Sequence, residues 1–329
     1  MRRGCRPDLG LVALALLASG CVLSFDRSRI PESCAGLSEC LPGVSCCARG
    51  DVPGGSFDRG FDHSGGAAQP GTSDLVTGWQ PAGAAPATVS DFSLERFEVT
   101  AGRMQAFLRA YDAWRGAGHP AVGEGALPAL GPSSGWQRDF ELALPATAAA
   151  LHEELRCPEE GGATVDLDPL LPINCVRWPV ALAFCLWEGG RLPTEAEWSY
   201  AAAGGSEARA FPWSVPASAL LIDADHAVLA PAGSPARAGS RAALDAARWG
   251  HHDLAGNLRE WVLDHEPGGG LGSYGIHDCN GCAELGGGSD RIRRGGDFDS
   301  NAARARTAFR GSEAQSSVSK YHGFRCAFD

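Results

Sequence analysis

Ten of this chain's twelve cysteines lie beyond an N-terminal stretch ordered like a secretory signal, and that arrangement constrains the fold most. Arg2, Arg3 and Arg6 make a positive start, Leu9 to Ala18 an apolar run, and Ala18-Ser19-Gly20-Cys21 a small-residue approach to a cysteine. About ten apolar residues are half of the roughly 20 that a spanning helix needs, so the run reads as a cleaved export signal. Cleavage before Cys21 and acylation of the new N-terminus would make a lipoprotein, anchored through lipid with no spanning helix. Val22 follows Cys21 where an aspartate commonly retains lipoproteins at the inner membrane, which points to the outer membrane of a Gram-negative bacterium. Export means an oxidising compartment, where an even number of cysteines reads as a disulfide framework. With Cys5 removed and Cys21 acylated, Cys34, Cys40, Cys46, Cys47, Cys157, Cys175, Cys185, Cys279, Cys282 and Cys326 remain, enough for five bridges. Cys279-Asn280-Gly281-Cys282 has the CxxC spacing of a metal site, but no second CxxC follows it, and a bridge is expected instead.

Residues 1–20 hold three Arg and one Asp, so their removal takes the formal net charge from −11 to −13. Such acidity argues against a nucleic-acid partner, since binding there rests on neutralising phosphates. The reading divides the chain into a signal at 1–20, a cysteine-rich tether at 21–50 and one domain at 51–329. About 280 residues can bury roughly three quarters of their unfolded surface, so the domain can fold alone. With 44 Gly and 21 Pro, about a fifth of the chain, much of it should be irregular loop, and no internal repeat is visible.

Three helices are expected. Thr100 can cap the first, Met104, Phe107, Leu108 and Tyr111 supply its apolar stripe, and Gly116 and Gly118 end it. The second has Pro179 in its first turn, buries Val180, Ala183, Phe184 and Trp187, and stops at Gly189-Gly190. The third opens on Thr194-Glu195-Ala196-Glu197, a capping box, and runs to Ala203.

Eight segments resemble, in order, the formylglycine-generating-enzyme (sulfatase-modifying-factor) family. They are Val52-Pro53-Gly54-Gly55-Ser56-Phe57, Phe97-Glu98-Val99-Thr100, Leu171-Pro172-Ile173-Asn174-Cys175-Val176, Gly190-Arg191-Leu192-Pro193-Thr194-Glu195-Ala196-Glu197-Trp198 and Phe211-Pro212-Trp213. Asp253-Leu254-Ala255-Gly256-Asn257-Leu258-Arg259-Glu260-Trp261, Arg294-Gly295-Gly296 and Gly323-Phe324-Arg325-Cys326 close the series. The resemblance implies an α+β, C-type-lectin-like fold, loop-rich and stapled by disulfides. It also implies a bridge between Cys185 and Cys326. Cys157 with Cys175, Cys279 with Cys282, and two bridges among Cys34, Cys40, Cys46 and Cys47 would complete the five.

The family's oxidase binds copper through two cysteines shortly after its RGG segment, and soft thiolates suit Cu(I). Here Arg294-Gly295-Gly296-Asp297-Phe298-Asp299-Ser300-Asn301 continues with no cysteine before Cys326, so neither copper nor iron is expected. The family is an oxidoreductase whose catalytic cysteines this chain lacks. Asp297 stands where that oxidase has serine, and Arg259 where it has an aromatic residue. The two charges could pair, or each could face a ligand. The nine histidines show no HxxxH pairing for an iron site, and His251 and His252 read as solvated loop residues. One structural calcium site of the family corresponds to Asp253, Gly256, Leu258 and Glu260, an oxygen set suited to a hard cation. The resemblance places a second calcium site within 223–236, its ligands unassigned.

A binding module is therefore expected, its pocket rimmed by Arg259, Asp297, Asp299, Asn301, Arg304 and Arg306, with Arg304 and Arg306 alternatively pairing with Glu195 or Glu197. Its partner would be a peptide, glycan or envelope protein. The rival readings are an oxidase with relocated ligands and a structural envelope protein.

Overall fold

The computed structural model describes residues 32–34, 39–65, 77–158, 160–268, 274–275, 279–286 and 288–329. The export signal and Cys21 lie outside them.

Local capping chemistry starts the helices. Helix α1 (Ala101–Gly116) begins where Thr100 accepts from the Arg103 amide at 3.4 Å, and Met104, Phe107 and Tyr111 turn into the core. Leu108 packs partly buried against the same core, and Gly118 follows the helix at φ +91°. Helices α2 (Arg138–Glu141) and α3 (Ala148–Leu155) were not among the expected three; Thr147 caps α3 by accepting from Ala150 N at 3.2 Å. In α4 (Trp178–Trp187) the expected one-sided stripe gives way to burial all round. Trp178 through Leu186 are all buried and only Trp187 is half-exposed, the mark of a core helix. Helix α5 (Glu195–Ala203) carries the expected capping box. Thr194 Oγ1 accepts from Glu197 N at 3.1 Å, and the Glu197 carboxylate accepts from Thr194 N at 2.8 Å. Among the described residues no helix is long and apolar enough to cross a membrane.

The strands are short. β1 (Glu39–Leu41) and β2 (Val44–Ser45) form a hairpin. β3 (Arg49–Val52), β4 (Gly55–Asp58), β5 (Pro86–Val89) and β6 (Phe92–Glu95) precede the helices. β7 (Arg259–His265), β8 (Cys279–Asn280), β9 (Asp290–Arg294), β10 (Gly311–Ala314), β11 (His322–Gly323) and β12 (Ala327–Phe328) follow them. Three sheets result, in the orders β10-β9-β7-β11, β12-β6-β3 and β4-β5-β8. β7 runs antiparallel to β9 and parallel to β11, so the two-residue β11 brings the C-terminal motif alongside the Arg259–Glu260 segment.

The fold is α+β and loop-rich, and crosslinks and buried ion pairs hold what regular structure does not. All ten described cysteines are paired: Cys34–Cys47, Cys40–Cys46, Cys157–Cys175, Cys185–Cys326 and Cys279–Cys282. The Cys185–Cys326 bridge ties α4 to the end of the chain across 141 residues. Around it α1, α4 and β7 form the main core; Trp178 Nε1 donates to Val262 O at 2.7 Å and Trp261 Nε1 to Val176 O at 2.9 Å.

The cysteine-rich segment is not a free tether up to residue 50. Residues 31–329 make one compact unit. Arg103 Nε donates to Ser33 Oγ at 2.9 Å, and β3 pairs with β6 from Arg49↔Glu95 to Val52↔Phe92. Two disulfides close this segment on itself, and the ion-paired Arg103, Glu188 and strand β6 hold it to the domain where composition alone suggested a spacer.

Candidate functional site

The RGG segment makes a turn that only glycine fits. Gly295 and Gly296 take φ +91° and +72°, and a side chain on Gly296 would meet Arg304 O at 2.9 Å. The turn delivers Asp297 into a closed loop. Its Oδ1 accepts from Asp299 N at 2.9 Å, while its own amide donates to Ser300 Oγ at 3.1 Å. The wholly buried Asp297 carboxylate forms an ion pair with Arg259 Nε, from the start of β7. Arg259, slightly exposed, lies 5.3 Å over the Tyr321 ring, which packs against Phe298 at 5.2 Å. The Tyr321 hydroxyl donates to Asp299 Oδ2 at 3.4 Å.

Of the six residues expected at the rim, Arg259, Asp297 and Asp299 meet around Tyr321. Asn301 caps the next short helical turn by accepting from Arg304 N at 3.2 Å, and Arg304 is exposed. Arg306 does not rim a pocket: it is fully buried and pairs with Asp62 at 2.7 Å, not with Glu195 or Glu197. Those glutamates pair with Arg310 and Arg191. Tyr321 and Phe298 escaped the sequence reading, although both flank segments it singled out. So did Arg293, whose guanidinium burial and then the neighbouring Arg259 push down to about 10. Two concave sites lie elsewhere, one of about 320 Å³ beside Arg115, His119 and Trp136, the other beside Leu108 and His152.

The loop before β7 is strained into shape by three positive φ values, Asp253 at +58°, Gly256 at +87° and Asn257 at +63°. Gly256 is obligatory, since a side chain there would meet Val228 O at 2.5 Å. Asp253 Oδ2 accepts from Gly239 N at 2.6 Å. Glu260 accepts from Arg325 through both oxygens, at 2.6 and 2.7 Å, and from Trp198 Nε1 at 2.8 Å. Glu98 accepts from Asn257 Nδ2 at 2.6 Å and Leu258 N at 2.9 Å. Burial, and then Asp253 and Glu260, hold the Glu98 carboxyl well above the usual range; burial and then Asp245 push Asp253 up to about 7. Four buried carboxylates thus share this region with Arg325 and His252. Both Glu260 oxygens are already taken by Arg325, and among the described residues no group of three or more His, Cys, Asp or Glu side chains is arranged to hold a metal ion.

His251 and His252 correct the sequence reading. Both are buried, His252 Nδ1 lies 2.7 Å from Asp245 Oδ1, and its ring stacks on Phe97 at 5.3 Å. Burial and then Arg325 push His251 down to about 3, so it is neutral. The turn motif that marked a loop carried no sign that the loop is folded under.

A loop-rich α+β body, an RGG turn and a Gly-Asn loop feeding β7 define a domain of the sulfatase-modifying-factor type with a C-type-lectin-like architecture. The chain belongs to that family: the description "Sulfatase-modifying factor enzyme 1-like domain" matches residues 49–329. The formylglycine-generating enzyme of Thermomonospora curvata is 26% identical over 310 residues, 84% of this chain and 92% of that one. The bovine formylglycine-generating enzyme is 32% identical over 192 residues, 53% of this chain, and the match spans about half (48%) of the bovine protein. The structure of PvdO from Pseudomonas aeruginosa shares the fold, with a TM-score of 0.56 at 21% identity, covering 92% of this chain and all of that one.

Proposed function

We propose that this domain is a non-oxidase ligand-binding or interaction module of the cell envelope. The observation that carries the reading is that no cysteine lies between Cys282 and Cys326, so the loop after the RGG turn offers no thiolate for copper. The Arg259–Asp297 pair, where oxidases of this family resemble one another in having uncharged residues, supports it. The binding face is Arg259, Asp299, Asn301 and Arg304 with Tyr321, the buried Asp297 holding Arg259 from beneath, and the partner is a peptide, a glycan or an envelope protein. An exposed arginine beside acidic and aromatic side chains suits a polar ligand that both donates and accepts hydrogen bonds.

Calcium belongs to the same proposal. Asp253, Gly256, Leu258 and Glu260 would hold it, and its charge would offset that of the Asp253 and Glu260 carboxylates. Acylation of Cys21 would anchor the module in the outer membrane. Incorporation of labelled palmitate, lost in Cys21→Ala, tests the anchor.

The functional test exposes the purified mature chain to Cu(I), oxygen and a cysteine-containing sulfatase peptide. No bound copper and no formylglycine are expected. Stoichiometric copper with conversion of the peptide would replace this reading by an oxidase with relocated ligands.

A further inference from the structure

Cys279-Asn280-Gly281-Cys282 is the sequence motif that the binding face leaves unused. Its cysteines sit at an end of the sheet β4-β5-β8, on and just after the two-residue β8. Backbone pairing to β5 places them, Ala87↔Cys279 and Thr88↔Asn280, with Gly281 N donating to Thr88 O at 2.9 Å. Gly281, at φ +67°, turns the chain so that the two sulfurs bond across three positions. Cys282 is buried and Cys279 half-buried, so only the Cys279 end of the bridge borders solvent.

The other bridges differ from this one. Cys34–Cys47, Cys157–Cys175 and Cys185–Cys326 are buried at both ends. Cys40–Cys46 has a half-buried end but encloses the β1–β2 hairpin, both of whose strands lie within or beside its ring. The stabilisation a bridge confers grows with the logarithm of the loop it closes. A separation of 3 against 141 makes Cys279–Cys282 the bridge whose opening the fold tolerates best. Its strand keeps its backbone pairing to β5 when the sulfurs part.

We infer that Cys279–Cys282 is a redox-active pair that exchanges with a protein dithiol in the exported compartment. A thiolate of the partner attacks Cys279 Sγ and forms a mixed disulfide. The Cys279–Cys282 bond breaks, and Cys282 leaves as a thiolate that takes a proton from solvent. The partner's second thiolate attacks the mixed disulfide at its own sulfur, and Cys279 leaves and is protonated in turn. Two electrons thereby pass from the partner dithiol, which becomes a disulfide, to this pair, which becomes two thiols; the reverse sequence oxidises a partner.

The test equilibrates the folded mature chain in glutathione buffers of rising reduced-to-oxidised ratio. After acid quenching, free thiols are alkylated and located by peptide mass spectrometry. Cys279 and Cys282 are expected to label at a ratio at least tenfold lower than any of the other eight described cysteines, with the circular dichroism unchanged. Cys282→Ser should accumulate glutathione on Cys279, whereas Cys279→Ser should not accumulate it on Cys282. Labelling that coincides with that of Cys185 and Cys326, or that follows Cys40 and Cys46, overturns the inference. So does a folded Cys282→Ser chain that never carries glutathione. If a variant misfolds, the labelling order in the unsubstituted chain still decides.

Discussion

Arg259 Nε and the buried Asp297 carboxylate form an ion pair that joins the start of β7 to the loop after the RGG turn. Each charge is accounted for by the other. A lone carboxylate at a wholly buried position would lack its counter-charge, and several kcal/mol of desolvation would go unrecovered.

Removing both partners should therefore cost less than the sum of the two single losses. Arg259→Ala strands a buried carboxylate and is expected to lose about 3–5 kcal/mol. In Asp297→Ser the partly exposed Arg259 can turn to water, and the loss should be smaller. The double variant should recover more than about 1 kcal/mol of the summed losses. Urea unfolding of the three variants measures this, and simple additivity would show that the pair is not coupled.

The two extreme bridges should separate in stability. The chain-entropy model assigns about 5 kcal/mol to a closure as long as Cys185–Cys326 and about 2 kcal/mol to one as short as Cys279–Cys282. Thermal unfolding of Cys185→Ala/Cys326→Ala should fall well below that of Cys279→Ala/Cys282→Ala. Equal losses would mean that local packing, not loop closure, sets the contribution of each bridge.

Acid should unfold the domain through its neutral histidines. Burial and then Arg325 hold His251 near 3, while burial and then Arg293 and Arg259 hold His322 well below its ordinary value. A depressed folded pKa contributes stability that is complete above the unfolded value of about 6.5 and is lost as pH falls towards the folded value. Each histidine should contribute a slope of up to about 1.4 kcal/mol per pH unit in that window. His322→Phe, which keeps a ring beside Trp261, should flatten the stability–pH curve below pH 6 by about one such slope. An unchanged curve would place the proton elsewhere.

Calcium should raise the melting temperature of the mature chain relative to a chelator, and Asp253→Asn should remove the increment. At a hundredfold excess over its dissociation constant a bound ion adds about 2.7 kcal/mol. Identical melting with calcium and chelator would show that Arg325 alone balances Glu260.

Much of the fold was legible wherever the deciding interaction is local. Thr100 and the Thr194–Glu197 box act over three residues, so their side chains announce the helix starts before any packing is known. Thr147 could have announced α3 in the same way. α4 was legible as a helix but not as a core helix, because Pro179 and the terminal glycines mark its ends and say nothing of what covers its second face. Cys157–Cys175, Cys185–Cys326 and Cys279–Cys282 form as expected, whereas the pairing among Cys34, Cys40, Cys46 and Cys47, open in the sequence, is Cys34–Cys47 and Cys40–Cys46. At the candidate site the sequence placed Arg259, Asp297 and Asp299 together and misplaced Arg306.

The sequence by itself determined the helix caps, the glycine turns, the cysteine inventory and the absence of a cysteine between Cys282 and Cys326. These depend on residue type and on neighbours a few positions away. Tertiary structure alone decided that Arg306 meets Asp62, 244 residues distant, that Ser33 meets Arg103 of α1, and that Arg49 and Gly50 pair with β6. It also decided that His251 and His252 are enclosed rather than solvated. Charge pairing and burial depend on which surfaces the returning chain brings into contact, and no local pattern in a loop-rich sequence carries that information.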